Sequence, residues 1–91
     1  MWYLYIIRCA DSSLYTGITT DIERRFNEHA DQGSLAAKYL RGKAPLSLVF
    51  TIEAGTRSEA STLEIRLKQM AKSDKELVVS GEKSLADLGL V

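Results

Sequence analysis

The chain has 91 residues, 45% of them apolar and 26% charged, the balance of one soluble globular domain with a modest core. Twelve basic residues meet twelve acidic ones, so overall charge makes no case for nucleic acid. No apolar run approaches the ~20 residues needed to span a bilayer, and Cys9 is the only cysteine, which excludes an internal disulfide or thiolate metal cluster and fits a reducing cytoplasm.

The first segment, Trp2 to Ile7, is aromatic and β-branched and too short for a helix. It reads as a strand apolar on both faces, hence central or well covered. No basic region precedes it, which argues against a signal peptide. Ala10 to Ser13 is a turn signal, and Leu14 to Ile18 is a second strand, so the two should form a hairpin. If the register keeps residue parity, Tyr3, Tyr5, Tyr15 and Gly17 share one face. Gly17 inside a strand marks a bulge or a close approach by another group.

Asp21 is the expected N-cap of a helix from Ile22 to about Ala30. Taken at about 100° per residue from Ile22, Arg25 falls near −60°, His29 near −20° and Phe26 near +40°. The arginine and the only histidine thus share the apolar side, whereas Arg24, Asn27 and Glu28 point away. In a merely solvated helix the charges would lie opposite the apolar stripe, so Arg25 stands out.

Ser34 is expected to cap a short second helix, Leu35 to Leu40, stopped by Gly42. Ala44-Pro45 forces extension, and Leu46 to Ile52 is the third strand. Thr56 or Ser58 caps the longest helix, to about Lys72, with Glu64 on the rim of its apolar stripe between Ala60 and Ala71. Ser73 would cap another helix, Asp74 to Val79, ended by Gly81, and Ser84 to Leu88 would add a final turn. The order β-β-α-α-β-α-α indicates an α/β (α+β) fold with a small sheet flanked by helices.

From Leu35 to Lys75 eight basic residues outnumber four acidic ones. Lys38, Arg41, Lys43 and Lys68 in this stretch are candidate nucleic-acid contacts, against the plainer reading of scattered surface charge. The chain holds no glycine-rich phosphate loop and no paired-histidine metal site. Cys9 with His29 as nucleophile and base is conceivable, but a cysteine at a strand end more often packs as a small apolar residue.

Tyr5, Tyr15, Arg25, His29 and Glu64 form a more coherent set. Phosphodiester hydrolysis needs a carboxylate to hold a divalent cation, an arginine to neutralise charge on the phosphate, and a phenol or imidazole to orient or deprotonate water. Each residue also has a structural role open to it: core tyrosines, a snorkelling arginine, a histidine favoured by a helix end, and a Glu64–Lys68 pair at i,i+4.

Tyr3-Leu4-Tyr5 with Ile6-Ile7, then Tyr15-Thr16-Gly17 ten residues after Tyr5, resembles the paired signature of GIY-YIG nucleases. The likeness continues through Asp21 to His29, with the family's arginine at Arg25 and a histidine one turn later. Ala60 to Glu64 with Lys68 resembles the metal-binding glutamate helix. The likeness covers most of the chain, motifs in 2–72 with a helical extension over 73–91, and is greatest to small stand-alone bacterial members. The resemblance implies a three-stranded antiparallel sheet between helices and a metal-dependent endonuclease acting on DNA, structure-selective or linked to repair. It implies one Mg²⁺ or Mn²⁺ on Glu64, with Tyr5 as base or water orienter and Tyr15 positioning water and phosphate. Arg25 would stabilise the pentavalent phosphate, His29 would assist proton transfer or bind phosphate, and Gly17 would let backbone approach the site. The chain departs from the pattern in reading YLY without the first glycine, and in having no asparagine after Asn27. That departure and the zero net charge keep open a non-catalytic module binding nucleic acid or protein, or a protein partner that supplies targeting.

Overall fold

The computed structural model describes residues 1–91. Strand β1 (Trp2–Arg8) lies at the centre of a three-stranded antiparallel sheet, between β2 (Leu14–Thr19) and β3 (Ser47–Gly55). A central strand has a packed layer on each face. Leu4, Tyr5, Ile6 and Ile7 are accordingly all buried, as the continuous apolar run predicts. The hairpin turn is fixed by Asp11, whose Oδ1 accepts from the Ser13 backbone N–H and hydroxyl.

Tyr5 pairs with Gly17, Ile7 with Tyr15, and Tyr3 with Thr19. Parity is therefore kept, and Tyr3, Tyr5, Tyr15 and Gly17 do share one face. Helix α1 (Ile22–Ala30) covers that face, where Tyr5, Ile7, Cys9 and Leu40 are packed by Tyr15, Ile22, Phe26 and Leu46. The opposite face carries Leu4 and Ile6. It is covered by α2 (Arg57–Lys68) and α3 (Lys72–Ser80) through Leu63, Leu67 and Val78, with Leu85 and Leu90 closing the layer. No helix is long and apolar enough to cross a membrane.

Both helix starts follow sequence chemistry. The Asp21 side chain accepts from the Arg24 N–H, and Thr56 with Glu59 forms a reciprocal capping box. The expected helix from Leu35 to Leu40 is not formed. Only a single 3-10 turn, Lys38–Leu40, stands there, preceded by extended Ala37, because the Ala37 N–H is turned to a side chain of α1. The observed order is thus β-β-α-β-α-α plus that turn. Helix α2 stops at Lys68 rather than Lys72, closed by Gln69 and Met70 N–H groups that donate to Arg66 and Leu67 carbonyls. Helix α3 starts at Lys72 after Ala71, with no side-chain cap from Ser73. The break between two helices was expected; Met70 and Ala71, which extend the apolar stripe of α2, lie in the junction and not in the helix. Arg8 and Glu76 join α3 to β1 through a forked pair at 2.8 and 2.6 Å.

Candidate active site

Helical phase and sheet register bring Tyr5, Tyr15, Arg25 and His29 together. Arg24 is exposed, while Arg25 and Phe26 are half-buried and His29 is fully buried. The Tyr5 hydroxyl lies 2.9 Å from His29 Nε2. The rings of Tyr5, Tyr15 and His29 are mutual neighbours, with centroids 5.7 to 6.4 Å apart.

The direction of the Tyr5–His29 bond follows from the other ring nitrogen. The Ala37 backbone N–H donates to His29 Nδ1 at 3.2 Å, so Nδ1 carries a lone pair. The proton of the neutral ring then sits on Nε2 and is donated to the Tyr5 oxygen. Tyr5 keeps its own proton free to point elsewhere. His29 has no exposed surface, and its Nε2 meets the rest of the cluster at the Tyr5 oxygen.

Burial, and then Arg25, push the His29 imidazolium down to about 4 from an ordinary 6.5. The folded value lies below the unfolded one, so the unfolded chain takes up this proton first as pH falls. The stability His29 contributes is complete above about 6.5 and is lost as pH falls towards about 4. The thermal midpoint of the wild-type protein is therefore expected to fall more steeply across that window than that of His29→Gln. Parallel melting curves from pH 7 to 4 check this, and coincident slopes would contradict the neutral buried ring.

Burial is also the main influence on Tyr5, whose hydroxyl is pushed up to about 12. The charges of Tyr15 and Glu64 add to the rise, and the Arg25 guanidinium opposes it by charge and hydrogen bonding. Tyr5 is thus a phenol at neutral pH, and offsetting the charge of Glu64 would ease its ionisation.

Gly17 shows the close approach by another group that a glycine inside a strand suggests. A β-carbon there would lie 2.5 Å from Tyr5 Cζ and closer still to the hydroxyl. The glycine therefore clears a path across β2 for the Tyr5 ring. Gly17→Ala is expected to cost about 1–3 kcal/mol through overpacking and to displace the Tyr5 hydroxyl from His29. Chemical denaturation and cleavage rates on this variant check both effects.

Arg25 is held by groups that the sequence does not reveal. One guanidinium nitrogen donates to the Leu35 carbonyl at 2.7 Å and to Glu28 at 3.0 Å. Glu28, expected to point away, is half-buried in this pair. The segment after α1 thus positions two polar side chains of the helix, Arg25 through the Leu35 carbonyl and His29 through the Ala37 N–H. Gln32 clasps that segment, donating to the His29 and Leu40 carbonyls and accepting from the Gly42 N–H. Backbone partners carry no side-chain signature, and only the clasp residue itself was open to inspection in the sequence.

Glu64 arrives from the other layer. It is half-buried on the rim of α2, beside buried Ala60, Leu63 and Leu67, and pairs with Lys68 at 3.4 Å. Lys68 also lies 5.9 Å from the Tyr15 ring centre, which ties Glu64 to β2. No group of three acidic, histidine or cysteine side chains could cage a metal. A lone accessible carboxylate instead fits a hard cation that keeps most of its waters and shares substrate oxygens, as Mg²⁺ does. Of the four candidate basic contacts, Lys43 and Lys68 reach this aromatic cluster. Lys38 is exposed on the segment after α1, and Arg41 is engaged by the Ser34 carbonyl. Two further residues belong here, Tyr39, stacked on Tyr15, and Lys75, which lines the cleft beside it. The aromatic–basic run Lys38-Tyr39-Leu40-Arg41-Gly42-Lys43 is the sequence signal that could have found Tyr39. A larger cleft of about 490 Å³, between β3, α2 and the C-terminal residues, contains none of these side chains.

Comparison with known proteins agrees with this geometry. The family model described as the GIY-YIG catalytic domain matches residues 1–77. A UPF0213 protein of Cronobacter sakazakii is 57% identical over 81 residues, covering 89% of this chain and 83% of its own length. The UPF0213 protein YhbQ of Escherichia coli K12 is 51% identical over 87 residues, covering 96% and 85%. The solution NMR structure of a UPF0213 protein from Bacillus halodurans aligns with a TM-score of 0.56 at 39% identity, covering 96% of this chain and 92% of the other. With the paired tyrosine strands, the arginine helix and the glutamate helix in place, the chain belongs to the GIY-YIG nuclease superfamily.

Proposed function

We propose that the protein is a metal-dependent endonuclease that hydrolyses phosphodiester bonds in DNA. The observation that supports this best is the convergence of Tyr5, Tyr15, Arg25 and Glu64 from four separate elements, with Tyr5 held by His29. Glu64 would hold one Mg²⁺ or Mn²⁺, which supplies charge neutralisation for the phosphate and the leaving oxygen. Tyr5 orients the attacking water with its free hydroxyl proton, and the His29 N–H and Arg25 stabilise its oxygen should that proton leave. Arg25, fixed by Leu35 and Glu28, offers its remaining donors to the non-bridging oxygens as their charge grows. Tyr15 positions water and phosphate beside Tyr5. A role in DNA repair or on irregular DNA accords with the zero net charge, and a cytoplasmic setting with one free, buried cysteine.

Incubating the purified chain with single-stranded, duplex and branched DNA, and with RNA, with Mg²⁺ or Mn²⁺ or with chelator, tests the reading. Cleavage is expected only with metal, and Tyr5→Phe should remove most of it. The Lys68–Glu64 pair, which neutralises the carboxylate without any metal, favours one alternative: a non-catalytic binding module. That alternative gains if binding persists while no metal gives cleavage.

A further inference from the structure

We propose that the stacked pair Tyr15–Tyr39, with Lys43, Lys68 and Lys75 around it, seats an unpaired nucleobase and its flanking phosphates, so that the substrate is a single-stranded or locally unpaired strand. This rests on the nuclease reading above and names its substrate class.

Tyr39 is 45% exposed, one of the large hydrophobic side chains that the fold leaves open to solvent. Its ring lies nearly parallel to that of Tyr15, at 25° with centroids 5.9 Å apart. Tyr15 rests in turn against His29 and Tyr5, so the exposed ring is braced by the candidate active site itself. The 3-10 turn carries Tyr39 at a position fixed on either side by the Ala37–His29 bond and the Gln32 clasp.

A cleft of about 340 Å³ opens there along the free edge of β2, lined by Leu14, Tyr15, Thr16, Tyr39, Lys68 and Lys75. Its size suits a nucleotide rather than a double helix. Its walls pair an aromatic surface with ammonium groups, the two features that single-strand binding combines. Lys43 lies 3.5 Å from the Tyr39 ring centre and Lys68 is 5.9 Å from that of Tyr15. A nucleotide would draw Lys43 from the ring to its own phosphate. The rim brings three lysines to one edge of a chain with no net charge; two of them also meet carboxylates, Lys68 with Glu64 at 3.4 Å and Lys43 with Asp11 at 3.8 Å, and Lys75 lines the cleft. A duplex reader would need a broad basic face to follow two backbones; here one short basic edge meets an aromatic shelf.

Fluorescence anisotropy in chelator, where metal-dependent cleavage is off, tests the seat. The probes are a labelled 12-nucleotide strand, its blunt duplex, and the same strand with central bases replaced by abasic sites. The single strand should bind on the order of tenfold tighter than the duplex, and the abasic strand should lose most of that gain. Tyr39→Leu should lose on the order of tenfold on the single strand alone with an unchanged salt slope, and Tyr39→Phe should retain it. Lys75→Ala should lower the salt slope by about one ion. Equal affinity for strand and duplex, or indifference to abasic sites, overturns the seat even if Tyr39→Leu fails to fold. Metal-dependent cleavage of duplex with no effect of Tyr39→Leu overturns the seat and leaves the nuclease standing. Strand binding that depends on Tyr39, with no cleavage in any metal, supports the seat and removes the nuclease.

Discussion

Replacing Glu64 by glutamine is expected to reduce metal-dependent cleavage at least ~100-fold while leaving the protein folded. The change keeps the size and the hydrogen-bonding tip of the side chain and removes the charge that would hold the cation. Its stability cost should be small. Glu64 sits on the rim of α2, and its one ion pair, with Lys68, joins a half-exposed lysine at helical spacing. Such pairs contribute about 0.3–0.5 kcal/mol, which for a domain of this size moves the unfolding midpoint by only a few degrees. Cleavage rates and melting curves on the same preparation separate the two effects. A variant that unfolds would make Glu64 structural. One that cleaves normally would place the cation elsewhere.

The second large effect is expected at Arg25 and not at its neighbour. Arg25→Ala should slow single-turnover cleavage by ~10²–10³-fold, the cost of removing a preorganised donor from developing charge. Arg24→Ala should stay close to wild type, because that side chain is exposed on the outer side of α1. Arg25→Ala also leaves the Leu35 carbonyl and Glu28 without their donor. Some loss of stability should therefore accompany it. Arg25→Lys keeps the charge without the planar fork and should fall between the two. Equal losses from Arg24 and Arg25 would show that helical phase selects nothing here.

Much of this arrangement was legible in the sequence, for identifiable reasons. The uninterrupted apolar run of β1 required a central strand. The sequence put both tyrosines on one face only if the hairpin kept parity, which the register does, and the 3.6-residue period of α1 turned Arg25 and His29 towards them. The glutamate helix was placed by a cap at Thr56 or Ser58, which proves to be Thr56, and by the stripe beside Glu64. The segment from Asp31 to Gly42 was not legible. Leu35 to Leu40 has helical composition, yet its backbone groups are committed to His29, Arg25 and Gln32, and those partners lie in side chains and carbonyls distant in the pattern. With the helix went Tyr39, which the 3-10 turn leaves exposed against Tyr15. Gly17 was marked as special, but that its space belongs to the Tyr5 ring needed three-dimensional packing.

The central claim is that a divalent cation and a phosphate meet beside Glu64, Tyr5 and Arg25. Paramagnetic broadening by Mn²⁺ in amide NMR spectra of this 10.1 kDa protein tests it most directly, with a non-cleavable phosphorothioate oligonucleotide present. Signals of Glu64 and its helical neighbours should broaden first, with Tyr15 and Gly17 of β2 next, and Glu64→Gln should abolish the pattern. Broadening centred instead on the Glu28–Asp31 end of α1 or on Glu53 and Glu59, unchanged by Glu64→Gln, would contradict it.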